Sequence, residues 1–319
     1  MTAPPSGGRA RTVFLGSGAF GRATLERLTR HPAVELVGVV TAPARPAGRR
    51  REPAPTPIET AARELDVPTI LTPERLRAPE AIDAILDLRP ELLVLADYGQ
   101  IVPPALLAVA HGALNQHPSL LPRWRGASPV PATILAGDPE TGVTLMRMDA
   151  GLDTGPIVAR ERVTLTGTET APELEDRLAT MAADLLDRSL GPWLDGRLDA
   201  RPQPADGATL TRPLRREDGR LDPTRRAVEL ERRVRAYQPW PGTFLELDDG
   251  RLVVNRASVA PARPGDRAGE LVIHDGRPAL ATADGRLVLE QVTPAGRRPM
   301  AGDAWLRGRR PRPVSESPR

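Results

Sequence analysis

The chain has 319 residues, 40% of them hydrophobic, enough for two domains with a sizeable core. It holds no Cys, which excludes disulfides, thiolate metal sites and cysteine nucleophiles, and its four His show no metal-ligand spacing. All 44 cationic residues are Arg, which excludes lysine Schiff bases, and no apolar run reaches the 18 residues of a membrane span.

Around a net charge of +3, residues 1–200 carry −4 and residues 201–319 carry +7. A basic C-terminal third points to a polyanionic partner, although a solvated surface with unpaired Arg accounts for it equally well. Residues 1–10 lack the apolar stretch of a signal peptide and read as a disordered start. A strand over Arg11–Gly16, a helix over Ala23–Arg30 and a strand over Val34–Val40 open an α/β sheet. Between the first two, Gly16-x-Gly18-x-x-Gly21 fits the dinucleotide fingerprint. No Asp or Glu ends the second strand, where Thr41-Ala42-Pro43 stands, so the ribose anchor of a nicotinamide enzyme is missing. The glycines then serve a tight turn and close helix packing.

Thr41–Pro57, with five Pro and four Arg, predicts a long exposed loop. A helix over Ile58–Leu65, a strand over Val67–Leu71 and a helix over Ala78–Leu88 follow. The buried strand Glu91–Ala96 places Asp97–Ile101 at its carboxyl end, where open α/β sheets bind ligands. After a short helix over Pro104–His111, the strand Ala113–Gln116 delivers Asn115. The chain has only two Asn, and one stands two residues before a His. In Asn115-x-His117 the strand period puts a neutral donor and a donor or base on one face, before Pro118 turns the chain. Strands over Thr141–Met148 and Pro156–Val163 pair across a loop carrying Asp153, and an amphipathic helix over Ala171–Leu190 closes the domain. Leu198–Thr211, Pro/Gly-rich and weakly apolar, reads as a linker. An Arg-rich helix over Ala227–Tyr237 and five short strands between Phe244 and Val292 then predict a small barrel.

The stretch Leu114–Gly155 resembles the active-site segment of the folate-dependent formyltransferases, most closely of those that act on methionyl-tRNA. The pattern of that family stands here as Asn115-x-His117, Ser119–Pro122, Arg123-Trp124-Arg125-Gly126 and Gly151–Gly155. Colinear similarity runs from about Arg11 to Arg309. The resemblance implies an α/β fold: a Rossmann-like catalytic domain with an open, parallel-type sheet over 11–197, and a small OB-like β-barrel over 212–308. The linker is then 198–211, with disordered ends at 1–10 and 309–319. It also implies formyl transfer from 10-formyltetrahydrofolate to the α-amine of initiator methionyl-tRNA, by a monomeric cytoplasmic enzyme without a metal.

By the same resemblance Asn115, His117 and Asp153 are catalytic. Asn115 and His117 donate to the oxyanion of a tetrahedral intermediate, and Asp153 orients His117 and accepts the amine's proton, with the reverse split left open. A carboxylate neighbour favours the protonated form of His117, and the sequence leaves the split of charge between the two open. Ser119, Leu120, Leu121, Pro122, Tyr98, Gly99, Gln100 and Ile101 would bind folate. Arg45, supported by Arg49, Arg50 and Arg51, would meet tRNA together with Arg212, Arg215 and Arg216. Arg123 and Arg125 read as scaffold. The competing readings are another acceptor (a sugar-nucleotide amine, glycinamide ribonucleotide or water), a nicotinamide dehydrogenase, and a non-catalytic RNA-binding module. The last leaves the trio unexplained and has few aromatics for base stacking.

Overall fold

The structure, a computed structural model, describes residues 8–47, 52–248 and 250–308. Expectations about residues 1–7, Arg49, Arg50, Arg51 and residues 309–319 lie outside the described residues. Two compact units emerge: residues up to 133, 138–166 and 173–213 form the first, and 134–137, 167–172 and 214 onward the second.

Strand β1 (Ala10–Gly16) is apolar and buried on both faces from Val13 onward, as a parallel sheet covered on both sides requires. Helix α1 (Arg22–Leu28) and β2 (Val34–Val40) follow. The predicted long loop contains a ribbon instead, β3 (Arg45–Ala47) pairing antiparallel with β4 (Glu52–Ala54), Pro46 opposite Pro53. Three residues are too few for a period of two to register, and Pro counts against strands. Helix α2 (Pro57–Glu64) starts where the Thr56 hydroxyl caps the Glu59 amide at 3.0 Å. Then come β5 (Ile70–Leu71), α3 (Pro79–Leu86), β6 (Leu92–Ala96), α4 (Pro104–Leu107) and β7 (Ala113–His117). The two-residue strand β8 (Arg125–Gly126) and helix α5 (Pro129–Ala136) were not legible in the sequence. Strands β9 (Glu140–Arg147) and β10 (Ile157–Thr164), helix α6 (Ala171–Leu194) and β11 (Leu210–Thr211) complete the series.

Seven of these strands form one sheet in the order β10-β9-β7-β6-β1-β2-β5. The five from β7 to β5 are parallel, whereas β9 and β10 run antiparallel at one edge. One face buries Val13, Leu15, Val37, Val40, Leu93 and Leu95 against Ile85 and Leu106. Gly16 and Gly18 allow the close approaches at the carboxyl end. A Cβ on Gly16 would stand 2.8 Å from the Ala96 carbonyl oxygen, and one on Gly18 1.6 Å from an Asp97 carboxylate oxygen. These glycines are packing residues, as the missing ribose anchor led us to expect.

The register of β9 on β7 pairs His117 with Thr144 and Leu114 with Arg147. Strand β9 therefore ends beside the start of β7, roughly 10 Å along the sheet from His117. The loop carrying Asp153 has to fold back over that distance.

Gln116 points to the opposite face from Asn115 and His117. Only 2% exposed, it accepts from Thr24 Oγ1 at 2.6 Å and donates to the Ala182 carbonyl at 2.5 Å. Gln116→Leu would leave the Thr24 hydroxyl without its acceptor and strip the Ala182 carbonyl of a second donor, and an unpaired buried polar group costs about 1–3 kcal/mol. We expect a loss of roughly 2–5 kcal/mol in urea unfolding, with kcat per folded molecule within a factor of about two. A kcat collapse at unchanged stability would show that this side chain serves the site.

Residues 198–211 are bonded along the first unit rather than free. Arg201 and Ile157 exchange backbone hydrogen bonds of 2.7 and 2.8 Å, and β11 pairs in parallel with β8. Such contacts use backbone and polar side chains, so the low apolar content concealed them.

In the second unit, helix α7 (Ala227–Ala236) precedes β12 (Thr243–Leu247), β13 (Gly250–Pro261), β14 (Leu271–His274), β15 (Arg277–Ala281), β16 (Gly285–Pro294), β17 (Met300–Ala301) and helix α8 (Gly302–Gly308). The antiparallel path is β12-β13-β16-β15-β14, with β17 on β16. Among the described residues β12 and β14 do not pair, so the expected barrel is open. Leu230 and Val234 of α7 and Trp305 of α8 bury the face formed by Leu245, Leu252, Leu287 and Leu289. No described helix is long and apolar enough to cross a membrane, and no described group of three or more His, Asp or Glu could hold a metal.

Candidate active site

Strand β7 presents Asn115 and His117 on one face at the carboxyl end of the sheet. Asn115 is half-buried and its amide has no hydrogen-bond partner among the described residues. His117 is 4% exposed, and its Nε2 lies 2.8 Å from the Trp124 carbonyl. A carbonyl only accepts, so Nε2 carries the hydrogen and Nδ1 of the neutral ring bears the lone pair. That Nδ1 faces Asp153 Oδ2 at 3.7 Å, an electrostatic contact longer than a hydrogen bond.

Burial pushes the His117 pKa below its ordinary value, against the opposing pull of the Asp153 carboxylate and the Trp124 carbonyl. Of the two charge states that the sequence leaves open, this shift favours the neutral ring. Enclosure disfavours the cation more than Asp153 favours it. The residue pair is visible in a sequence; its enclosure is not.

Asp153 comes from the returning loop with φ +51°, a left-handed conformation that Asp tolerates better than most residues. Its Oδ2 also accepts from the Gly126 amide at 2.8 Å. Gly126 has φ +100°, and a Cβ there would lie 2.3 Å from the Thr211 carbonyl oxygen, so glycine is needed where β8 meets β11. Within the loop, Asp149 Oδ1 accepts from the Gly151 amide at 2.9 Å and from Thr154 Oγ1 at 2.7 Å. Gln203 reaches the same loop, donating to the carbonyls of Asp153 and Gly155 at 2.7 and 2.8 Å.

Several expected folate contacts have their side chains occupied inside the protein. Ser119 is fully buried and donates to the Arg123 carbonyl at 2.6 Å; Leu121 packs with Met146 and Ile157. Gln100 accepts from the Leu76 amide at 2.7 Å and donates to the Pro73 carbonyl. The side chains of these three are engaged within the protein. Pro122 is buried and Leu120 half-buried. Gly99 and Ile101 remain available: Ile101 is 73% exposed and Gly99 faces open space, whereas Tyr98 packs against the sheet core. The half-buried Tyr98 has a hydroxyl without a partner, its pKa pushed up to about 12 by burial. Exposed Leu152 stands next to Asp153 and was not singled out from sequence.

Arg123 grips Asp138 through two bonds of 2.9 and 2.7 Å and lies over the Trp124 ring, whose Nε1 bonds the same carboxylate at 2.8 Å. Asp138 holds the Arg123 pKa above its ordinary value. Arg123 is scaffold, as expected, and Arg125 likewise, although its partner is the Gln203 amide oxygen and no carboxylate. Arg45 opens β3, exposed; Arg212 belongs to the first unit, and Arg215 and Arg216 to the second, all exposed. The contacts that sequence reasoning missed are the Gly126 amide, the Trp124 carbonyl and Gln203. The first two are backbone groups without a side-chain signature, and the third sits in a Pro/Gly-rich stretch.

Residues 10–190 match the Formyl transferase family, and residues 213–310 match Formyl transferase, C-terminal domain. A methionyl-tRNA formyltransferase of Roseiflexus sp. (strain RS-1) is 45% identical over 308 residues, 94% of this chain and 93% of its own length. That of Halorhodospira halophila (strain DSM 244 / SL1) is 45% identical over 303 residues, 94% and 97% of the two chains. Among solved structures, the N-formyltransferase from Helicobacter canadensis in complex with folinic acid and dTDP-3-aminofucose superposes with a TM-score of 0.64. It is 14% identical, covers 89% of this chain and 100% of that one, and is alike in fold. With both domains matched over most of its length, the chain belongs to the formyl transferase family.

Proposed function

We propose that the chain transfers the formyl group of 10-formyltetrahydrofolate to the α-amine of methionine carried by initiator tRNA. The relatives at 45% identity are named for methionyl-tRNA, and the Helicobacter structure carries folinic acid, a formylated folate. The observation that carries the chemistry is the enclosed His117 ring, its Nδ1 3.7 Å from the Asp153 carboxylate, with the Asn115 amide on the same strand face.

The amine nitrogen attacks the formyl carbon, and the carbonyl oxygen takes up negative charge. The Asn115 amide donates to that oxygen, a contact stronger in the intermediate than in the ground state. Of the two proton assignments that the sequence leaves open, the neutral ring supports His117 Nδ1 as acceptor of the amine's proton. Asp153 then stabilises the imidazolium. The bond from N10 of the folate to the formyl carbon breaks, and the proton passes to N10, so charge and atoms balance.

Gly99, Ile101 and Leu152 form the folate rim in this reading, with Tyr98 packed beneath it. Leu120 and Pro122 support it. Arg45, Arg212, Arg215 and Arg216 contact tRNA, as would Arg49, Arg50 and Arg51. Arg suits that task because its fork grips phosphate and its plane stacks on bases. Arg45→Glu is expected to raise KM for methionyl-tRNA roughly tenfold to a hundredfold, the worth of a charged hydrogen bond of ~1.5–3 kcal/mol. The folate KM should stay within about twofold, and equal rises in both constants refute an RNA contact. A monomeric, cytoplasmic enzyme belongs to the same proposal, its first half checked by sedimentation of the purified chain.

Transfer of labelled formyl from 10-formyltetrahydrofolate to charged initiator tRNA tests the whole assignment. A sugar-nucleotide amine and glycinamide ribonucleotide serve as competing acceptors. Faster transfer to either competitor overturns the choice of acceptor, and transfer to none overturns the activity.

A further inference from the structure

The loop between β9 and β10 leaves the sheet roughly 10 Å from His117 and must return to bring Asp153 within 3.7 Å of the ring. Its internal hydrogen bonds, centred on Asp149, shape the loop but do not point it at His117. Two contacts from outside the loop do. The Gly126 amide holds the carboxylate directly at 2.8 Å. Gln203 holds the backbone: both hydrogens of its amide go to the loop, one to the Asp153 carbonyl at 2.7 Å and one to the Gly155 carbonyl at 2.8 Å. Its oxygen accepts from Arg125 Nε at 3.1 Å and from the terminal guanidinium nitrogen at 2.7 Å. Only this orientation of the amide gives donors to carbonyls and an acceptor to a guanidinium.

Arg125 is the chain neighbour of Gly126, so a closed circuit of contacts runs Gly126, Asp153, Gln203 and Arg125. Strand β11, paired with β8, fixes the backbone of that circuit from the far side.

We propose that Gln203 is a positioning residue for formyl transfer: it sets the distance between the Asp153 carboxylate and His117 Nδ1 by clamping the returning loop to Arg125. This rests on the catalytic reading of His117 and Asp153 above. A side chain that merely tethered residues 198–211 would bond its own segment or the sheet, whereas both donors of Gln203 go to the loop of Asp153.

The test is a double-mutant cycle on the full chain, with kcat and both KM values measured by labelled-formyl transfer. Gln203→Leu removes the donors and the acceptor; Gln203→Glu keeps an oxygen for Arg125 and loses the donors. Each lost hydrogen bond is worth about fivefold, so kcat should fall roughly ten- to thirtyfold in both variants, with both KM values within about twofold. In an Asp153→Asn background the same substitutions should change kcat by less than about twofold, because the carboxylate they position is gone. Equal kcat losses in both backgrounds, a rise in KM alone, or no loss with either variant would each overturn the proposal. Should Gln203→Leu fail to fold, Gln203→Glu decides the outcome. Near-normal turnover by Asp153→Asn alone would instead refute the catalytic reading, separating that failure from this one.

Discussion

His117→Ala is expected to lower kcat for formyl transfer by about 10²–10⁴, the usual contribution of a positioned base. In the proposed reaction Nδ1 takes the amine's proton, and Nε2 bonds the protein, so loss of the ring removes the acceptor and leaves the Trp124 carbonyl without that donor. The second effect lowers stability by roughly 1–3 kcal/mol, which a thermal melt separates from the first. The pH dependence follows from the same geometry. Activity requires the neutral ring, and burial sets the His117 pKa below its ordinary value. Activity is therefore full at neutral pH and lost as pH falls through that lowered pKa. Asp153 opposes the shift, so Asp153→Asn should move the acid limb of kcat to still lower pH while reducing its plateau. A limb moving to higher pH in that variant would contradict His117 as the acceptor, and a retained kcat in His117→Ala would remove the residue from the mechanism.

Asn115→Ala should cost about 10²–10³ in kcat, or roughly 3–4 kcal/mol of barrier, as loss of one oxyanion donor does. Its amide has no partner among the described residues, so truncation orphans none of them and the melting temperature should hold within about 2 °C. Gln116 next door offers the opposite signature, large in stability and small in rate. A combined rate and melt measurement on the two neighbours thus reads the two faces of β7 separately. If Asn115→Ala loses stability and keeps its rate, the amide is structural and the oxyanion donor lies elsewhere.

The legible parts of this protein are those that hydrophobicity and side-chain identity encode. Strand β6 and the carboxyl-terminal parts of β1 and β2 are apolar runs because parallel strands are covered on both faces there. Asn115 and His117 stood out by rarity and spacing, and Asp153 by resemblance. What stayed hidden is carried by backbone or by enclosure. Strands β8 and β11, two residues each, have no periodicity to detect, yet they fix the amide that holds Asp153. Helix α5 opens on two prolines that resemble a loop. Ser119 and Gln100 looked like pocket residues, but their polar atoms are occupied by the Arg123 and Pro73 carbonyls and the Leu76 amide. The protonation of His117 turned on burial, a quantity that neighbours in sequence do not report.

The ribbon formed by β3 and β4 has a further consequence for how this arm can meet another molecule. Neither Pro46 nor Pro53 can donate, so these facing residues must occupy a non-hydrogen-bonded pair, with Arg45–Ala54 and Ala47–Glu52 bonded inward on either side. The outward-facing amide positions are then those of the two prolines, and the free margins of the ribbon offer carbonyl oxygens but no N–H. A third strand finds no N–H to pair with along those residues, which discourages edge-to-edge association of the ribbon.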